Sequence, residues 1–502
     1  MKFLKKIINR FTIVSLLVIL QVVFIVSLIY FLETKYFYLQ IIISIISLLT
    51  LFFIISRNMH TESKVTWTLI ILLLPLLGII CYLLFSKNIP SRKQRKTLIK
   101  IHDTFYKQNN NDQINNLVES KYIGQMNYIL NTNNEKAYTN SKTKFFSTGE
   151  SYLEDLLVEL EKAKEFIFLE YFIISEGKML DSILKILTKK ASEGVEVKVL
   201  YDDLGSINYL PNNFDKILRK NNIECYKFNS FIPIASAIHN NRDHRKIAII
   251  DGKVAYTGGI NIGDEYINEF EKHGHWKDTA IKIEGEGVDG FTNMFLKMFM
   301  YSSNSTFPID KYLNKNENKI NDGVIIPYSD GPAPLMPEYI AENVYLNIIN
   351  QAEKELLITT PYLICDSKLM NAIQNASLRG VDVKIFTPHI PDKKIIFQIT
   401  RSNYKKLLKC GVKIFEYTPG FLHSKQVLAD NKIGIVGTIN FDYRSLVHHY
   451  ECGLWMYSTS SLKEIKDDFI ALEKVSQNMS TFKQNFFIHL FCKSIELFQP
   501  LL

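Results

Sequence analysis

Several familiar kinds of site are missing from this sequence. Its six cysteines (Cys81, Cys225, Cys365, Cys410, Cys452, Cys492) form no C-x-x-C or comparable pair, which argues against a disulfide scaffold or a cysteine-ligated zinc site. Histidines approach one another at His239/His244, His273/His275 and His448/His449, but never in an H-E-x-x-H or similar helical spacing. A metal site is therefore disfavoured. No long basic stripe with interleaved aromatics runs through the chain beyond its hydrophobic start, as a nucleic-acid surface would require. The first apolar run is not followed by an A-x-A-like cleavage site, so an anchor is a better reading than a removable signal peptide.

What is present begins with charge and apolar runs. A net charge of +8 and a pI near 8.8 point to an anionic partner. Residues 1–100 read as a membrane anchor, with apolar runs at 11–32, 37–55 and 65–85, each near the ~20 residues that cross a bilayer core. Basic residues flank the first run (Lys2, Lys5, Lys6, Arg10) and follow the third (Lys87, Arg92, Lys93, Arg95). Both flanks favour the cytoplasmic side, which three full crossings would not allow. Pro75 and Gly78 interrupt the third run and mark it as the one to kink or re-enter. The expectation is a multi-pass protein of the cell membrane with a cytoplasmic catalytic region, its basic cluster drawn to anionic membrane lipids.

Residues 101–147 are polar and Asn-rich and read as a connector. Helical and strand patterns then alternate: an amphipathic stretch at 152–164, an apolar run at 166–172, a helix at 179–191, a strand at 195–201. The second half repeats this order. Gly380-Val-Asp-Val-Lys-Ile-Phe386 answers Gly194-Val-Glu-Val-Lys-Val-Leu200, and Gly411-Val-Lys-Ile-Phe415 answers Asn222-Ile-Glu-Cys-Tyr226. The chain is a duplicated α/β unit with halves at 148–305 and 323–502 and a linker at 306–322.

Each half carries the same signature. His244-x-Lys246, four residues and Asp251 precede Gly258-x-x-Asn261; His423-x-Lys425, four residues and Asp430 precede Gly437-x-x-Asn440. At ~5% usage per residue type, five such positions coincide by chance roughly once in a few million windows. On a strand, residues i and i+2 share a face, so each half presents an imidazole, a cation and, after a glycine bend, an amide. Two such sets around one phosphodiester supply charge and hydrogen bonds for a phosphoryl group. One histidine can attack phosphorus while the other moves the proton. A carboxylate on the far ring nitrogen would fix each tautomer. Glu451 is the candidate for His423; Asp278, with Glu265 as the weaker alternative, is the candidate for His244. Asp251 and Asp430 lie at odd offsets and at strand ends, where they brace the motif rather than touch phosphate.

These residues resemble the signature of the phospholipase D superfamily, and the resemblance covers about Tyr152 to the end. Within it, the chain is similar to bacterial cardiolipin synthases. The similarity lies at Trp67 and Leu72-Leu-Leu-Pro75-Leu-Leu-Gly78, at Phe168-Leu169-Glu170-Tyr171-Phe172, at Thr360-Pro361-Tyr362 and at Phe441-Asp442-Tyr443-Arg444-Ser445. The resemblance implies an α/β protein of two duplicated phospholipase D-like α/β/α sandwich halves sharing one active site, preceded by N-terminal transmembrane helices. It implies His244, Lys246, Asp251, His423, Lys425 and Asp430 as the catalytic set, a phosphohistidine intermediate, and neither metal nor cofactor. The implied reaction joins two phosphatidylglycerol molecules into cardiolipin and glycerol, with no nucleic-acid partner. One departure from symmetry is Gly258-Gly259 against Gly437-Thr438.

The competing readings are a hydrolytic phospholipase D, a membrane-anchored nuclease with the same motif, and a catalytically dead scaffold, which two complete motifs disfavour. At the C-terminus, Phe482–Phe498 mixes apolar residues with Lys483, Lys493 and Glu496. It reads as a helix packed on the catalytic core or, alternatively, one lying on a bilayer.

Overall fold

The computed structural model describes residues 37–498 apart from 58, 87–91, 106–113, 134, 232–236, 315–320 and 332–338, together with scattered positions between 19 and 31. The first apolar run and the N-terminal basic residues therefore lie largely outside the described residues.

Helix α1 spans Phe37–Ser56, α2 Thr61–Leu73 and α3 Pro75–Phe85. The third apolar run is broken, as Pro75 predicts: Leu74 leaves the helix with φ −138° and ψ 77°, the extended conformation forced on a residue preceding proline. α3 then folds back along α2. A Cβ at Gly78 would lie 2.6 Å from the Ile71 Cα, so only glycine permits the approach, and the Trp67 and Tyr82 rings meet edge-on at 5.5 Å. Counted over the described residues, no helix is long and apolar enough to cross a membrane; the side chains of Phe37 and Leu39 in the 20-residue α1 lie outside that set.

The rest is built on one 15-stranded mixed sheet. In the first half the order runs outward from Tyr138–Phe146 through Ala280–Gly285, Val254–Gly258, Lys246–Ile250, Phe166–Tyr171 and Glu196–Asp202 to Ile223–Phe228. The second half repeats it from Asn321–Asp330 through Glu451–Tyr457, Ile433–Gly437, Gln426–Ala429, Glu355–Thr359 and Asp382–Pro388 to Lys413–Tyr417, with a short edge strand added. The two series meet where Tyr138–Phe146 pairs antiparallel with Asn321–Asp330.

Helices cover both faces. On one face, Phe291, Phe295 and Phe299 of the helix Val288–Ser303 share a continuous core with Leu462, Ile465 and Phe469 of Ser461–Lys474. On the other, each half has its own apolar layer. Strands buried on both faces are mostly apolar, as Ile247-Ala-Ile-Ile250 of the first motif strand is.

The segment read as a connector is instead structural. Ser120–Asn133 is a helix whose Tyr122, Met126 and Ile129 are buried in the second half's core, and Tyr138–Phe146 is the central strand. The nominal linker likewise ends inside the strand that begins at Asn321.

The N-terminal helices are bonded to the second half. Glu62 accepts from the Ser367 N–H (3.1 Å) and hydroxyl (2.6 Å), the Ser63 and Tyr443 hydroxyls meet at 2.5 Å, and the Thr66 hydroxyl donates to the Leu497 carbonyl at 2.6 Å.

Candidate active site

Both motif strands run antiparallel to the first parallel strand of their half, Phe166–Tyr171 and Glu355–Thr359, so that Tyr171 pairs with Lys246 and Thr359 with Gln426. The motif histidines thus stand at the carboxyl end of the parallel strands, where α/β sheets place their ligands. At the other end of each motif strand, Asp251 and Asp430 occupy left-handed turns (φ 52° and 53°). Asp251 accepts the N–H groups of Lys164, Glu165 and Phe166, and Asp430 those of Glu353, Lys354 and Glu355, at 2.7–3.2 Å. Each aspartate ties its motif strand to the neighbouring strand's start, which is the bracing role inferred from its offset.

The histidine partners are the reverse of the sequence expectation. His244 of the first half shares a hydrogen bond through Nδ1 with Glu451 of the second (2.9 Å), and His423 of the second with Asp278 of the first (2.6 Å). The main chain follows the same crossing: His244 N–H donates to the Tyr450 carbonyl (2.9 Å) and His423 N–H to the Lys277 carbonyl (2.7 Å). Glu265 takes neither place, lying 4.0 Å from Lys272. Within each chain segment the carboxylate follows its motif, but the two halves face one another, so each carboxylate reaches the opposite histidine.

Burial dominates the electrostatics. The His244 and His423 side chains are 8% and 10% exposed. Burial holds both imidazoles down at about 4, against the upward pull of Glu451 and Asp278, respectively. Burial would raise the two carboxylates, yet His244 holds Glu451, and Lys425 with His423 holds Asp278, below the usual range. Burial brings Lys246 down to about 8 and Lys425 to about 7, and each ammonium is drawn back by both Glu451 and Asp278. The two half-sites are one electrostatic unit. Its resting state is two neutral imidazoles whose Nδ1–H groups point at ionised carboxylates, leaving each Nε2 with a lone pair. Each lysine Nζ donates to the carbonyl of its own motif histidine.

The asparagines differ. Asn261 accepts the Ile173 N–H (3.0 Å) and donates to the Tyr266 hydroxyl (2.7 Å), so its amide is engaged. Asn440 is buried, with no partner for its Oδ1 among the described residues.

Sequence reasoning missed the rings around the imidazoles. Phe172 lies edge-on to His244 at 4.9 Å and His449 lies 5.3 Å away. Trp276 and Tyr266 lie 5.3 and 5.8 Å from His423. The signal was available, because His449-Tyr450-Glu451 aligns with Trp276-Lys277-Asp278. His244, His449 and Glu451 also stand close enough together to hold a cation, although Glu451 is already committed to His244 and to the Thr438 hydroxyl.

Comparison with known proteins decides the lineage. A family model described as cardiolipin synthase, PLD-like domain, matches residues 156–281 and 345–472. The chain belongs to this family. A second model, described as phospholipase D-nuclease N-terminal, matches residues 42–87. A protein of Clostridium perfringens named cardiolipin synthase is 35% identical over 422 residues, 83% of this chain and 88% of that protein. An uncharacterised protein of Streptococcus mutans is 44% identical over 85% of this chain and 93% of its own length. Among solved structures, phosphatidylserine synthase of Haemophilus influenzae superposes with a TM-score of 0.58 at 15% identity, covering 76% of this chain and all of that one. That likeness is one of fold.

Proposed function

We propose that the paired motifs exchange a phosphatidyl group between two phosphatidylglycerol molecules, releasing glycerol and forming cardiolipin. The observation that carries this reading is the crossed pair of imidazole–carboxylate bonds, which supplies two Nε2 lone pairs to one centre. In the first step one Nε2 attacks phosphorus and the P–O bond to the headgroup glycerol breaks. The other imidazole, protonated on substrate arrival, gives its proton to the leaving alkoxide. The phosphodiester's negative charge favours that protonation and keeps Lys246 and Lys425 charged. In the second step a headgroup hydroxyl of another phosphatidylglycerol attacks phosphorus, its proton passes to the same imidazole, and the P–N bond breaks.

Asp251 and Asp430 act as positioning residues. Asn440 serves as an amide facing phosphate, while Asn261 acts through Tyr266. No step needs a metal or cofactor. The near-complete burial of both imidazoles supports transfer over hydrolysis, since the intermediate must meet a lipid hydroxyl before water.

The chain is held at the membrane by its N-terminal helices. The first apolar run and α1 cross, while α2 and α3, at 13 and 11 residues, extend only ~20 and ~16 Å. They form a re-entrant pair, which places the segment after Phe85 on the same cytoplasmic side as the N-terminus.

The test is lipid mass spectrometry on a cardiolipin-free host expressing the chain. Cardiolipin and glycerol are expected, and His244→Ala or His423→Ala abolishes both while leaving the protein folded and membrane-bound. Accumulation of phosphatidic acid instead would assign a hydrolase; near-normal turnover by either variant would overturn the shared centre.

A further inference from the structure

The C-terminal helix Phe486–Glu496 has two unlike faces. Inward, Cys492 is 1% exposed and packs with Ile364 and Ile399, and the Lys493 ammonium donates to Asn403 at 2.9 Å. Asn485 caps the helix by accepting the Phe487 N–H at 2.9 Å. Outward, Phe486, Phe487, Leu490 and Phe491 are 70%, 76%, 58% and 58% exposed. The reading of a helix packed on the core therefore describes only one side of it.

Two observations say what covers the other side. The first is height. Leu497, directly after the helix, is bonded to Thr66, five residues into α2. At ~1.5 Å per residue that point lies ~7–8 Å along α2, where the apolar stretch beginning at residue 65 enters. The end of the aromatic helix, with Leu497 itself exposed, thus abuts the N-terminal helices, whose Val65, Leu72 and Leu73 are also exposed. The second is charge. Lys405 and Lys406 lie close enough to His489 to act on it electrostatically. The neighbouring helix Lys394–Lys409, which packs on the C-terminal one, begins with exposed Lys394 and Ile395.

We propose that the Phe486–Phe491 face inserts into the headgroup layer of an anionic bilayer. It is a second attachment that fixes the height and tilt of the catalytic halves, and it rests on the membrane-held reading above. Apolar rings sink to the acyl boundary and the lysines meet lipid phosphates, the division of labour of an interfacial helix.

The test uses the full chain reconstituted in phosphatidylglycerol-containing vesicles, with the photocrosslinker p-benzoylphenylalanine at position 487 and, as a control, at exposed Leu378, at the end of the helix Ser367–Leu378 remote from Glu62. Lipid adducts are expected at 487 and not at 378, with the chain retained after an alkaline wash. Adducts to a second copy of the chain, or none to lipid in a chain that is retained, overturn this proposal alone. A chain that washes off overturns the membrane-held reading as well. The triple variant Phe486→Ser, Phe487→Ser, Phe491→Ser should lose about tenfold in activity on vesicles and none on short-chain phosphatidylglycerol in detergent. Equal activity in both settings contradicts the assignment.

Discussion

The two half-sites share a backbone but not a chemistry. Glu451, serving His244, also accepts from the Thr438 hydroxyl and lies beside a second imidazole, His449. Asp278, serving His423, faces Gly259, where a Cβ would come within 2.0 Å of its Oδ1, and Trp276 stands where the other half has His449. The long carboxylate is paired with a threonine and the short one with a glycine, so each fits its own pocket. Behind the motifs the contrast repeats. In the first half Arg245 bridges Glu170 (2.6 Å) and Asp243 (3.1 Å), whereas in the second Ser424 and Thr359 occupy the matching places. Duplication fixed the geometry and left the surroundings free to diverge, which suits a reaction that asks two histidines for different roles.

The largest expected effect tests the crossing itself. Glu451→Gln should cost about 10²–10⁴ in turnover, in line with loss of a histidine-orienting carboxylate. The imidazole resonances separate the pairings without needing turnover: Glu451→Gln should shift the ring signals of His244 and leave those of His423 in place, and Asp278→Asn should do the reverse. The opposite pattern in ¹⁵N NMR of the labelled histidines would restore the assignment read from sequence.

Next comes the Gly259/Thr438 contrast. Gly259→Ala should displace Asp278 and lower kcat about 10–100-fold, while Thr438→Ala, losing one hydrogen bond to a carboxylate, should cost about tenfold. Equal effects would mean that the two carboxylates are held alike.

The pH profile of kcat/KM sharpens the electrostatic part. With both imidazoles near 4, activity should fall as pH drops through about 4, where the attacking nitrogen gains a proton. With Lys425 near 7 and Lys246 near 8, it should fall again as pH rises past that range and phosphate loses its cations. An acid limb near 6.5 would show that the imidazoles titrate as if exposed.

The smallest effect concerns what the halves have in common. Asp251→Asn and Asp430→Asn should each lower stability by about 1–3 kcal/mol through weakened backbone contacts, read as matching drops in Tm. Unequal drops would show that one brace matters more.

The motif spacing made the paired histidines, lysines and aspartates legible because the motif ties them to a strand period and a glycine bend. The partner carboxylates were found as residues but matched to the wrong histidines. Asp278 follows His244 and Glu451 follows His423 along the chain, and sequence proximity does not carry the facing of two halves. Tyr138–Phe146 escaped notice because Thr-Asn-Ser-Lys-Thr-Lys is a polar string; its Ser141 and Thr143 are buried by hydrogen bonds to Gly287 and to Ser461, respectively. By letters Lys354-Glu355 answers Lys164-Glu165, but the structure pairs Ile167 with Ile250 and Leu356 with Ala429, which sets the two strands one residue away from that match. Similarity of letters and identity of register are separate matters.

One 15-stranded sheet joins the halves through the bulged pairing of Tyr138–Phe146 with Asn321–Asp330, and the site between the motifs is assembled with that sheet. Lipid must therefore come to a centre that exists in full as soon as the chain has folded. Because each histidine leans on a carboxylate from the other half, the half-sites are mutually dependent: an isolated half would keep its motif histidine and lose the group that steadies it.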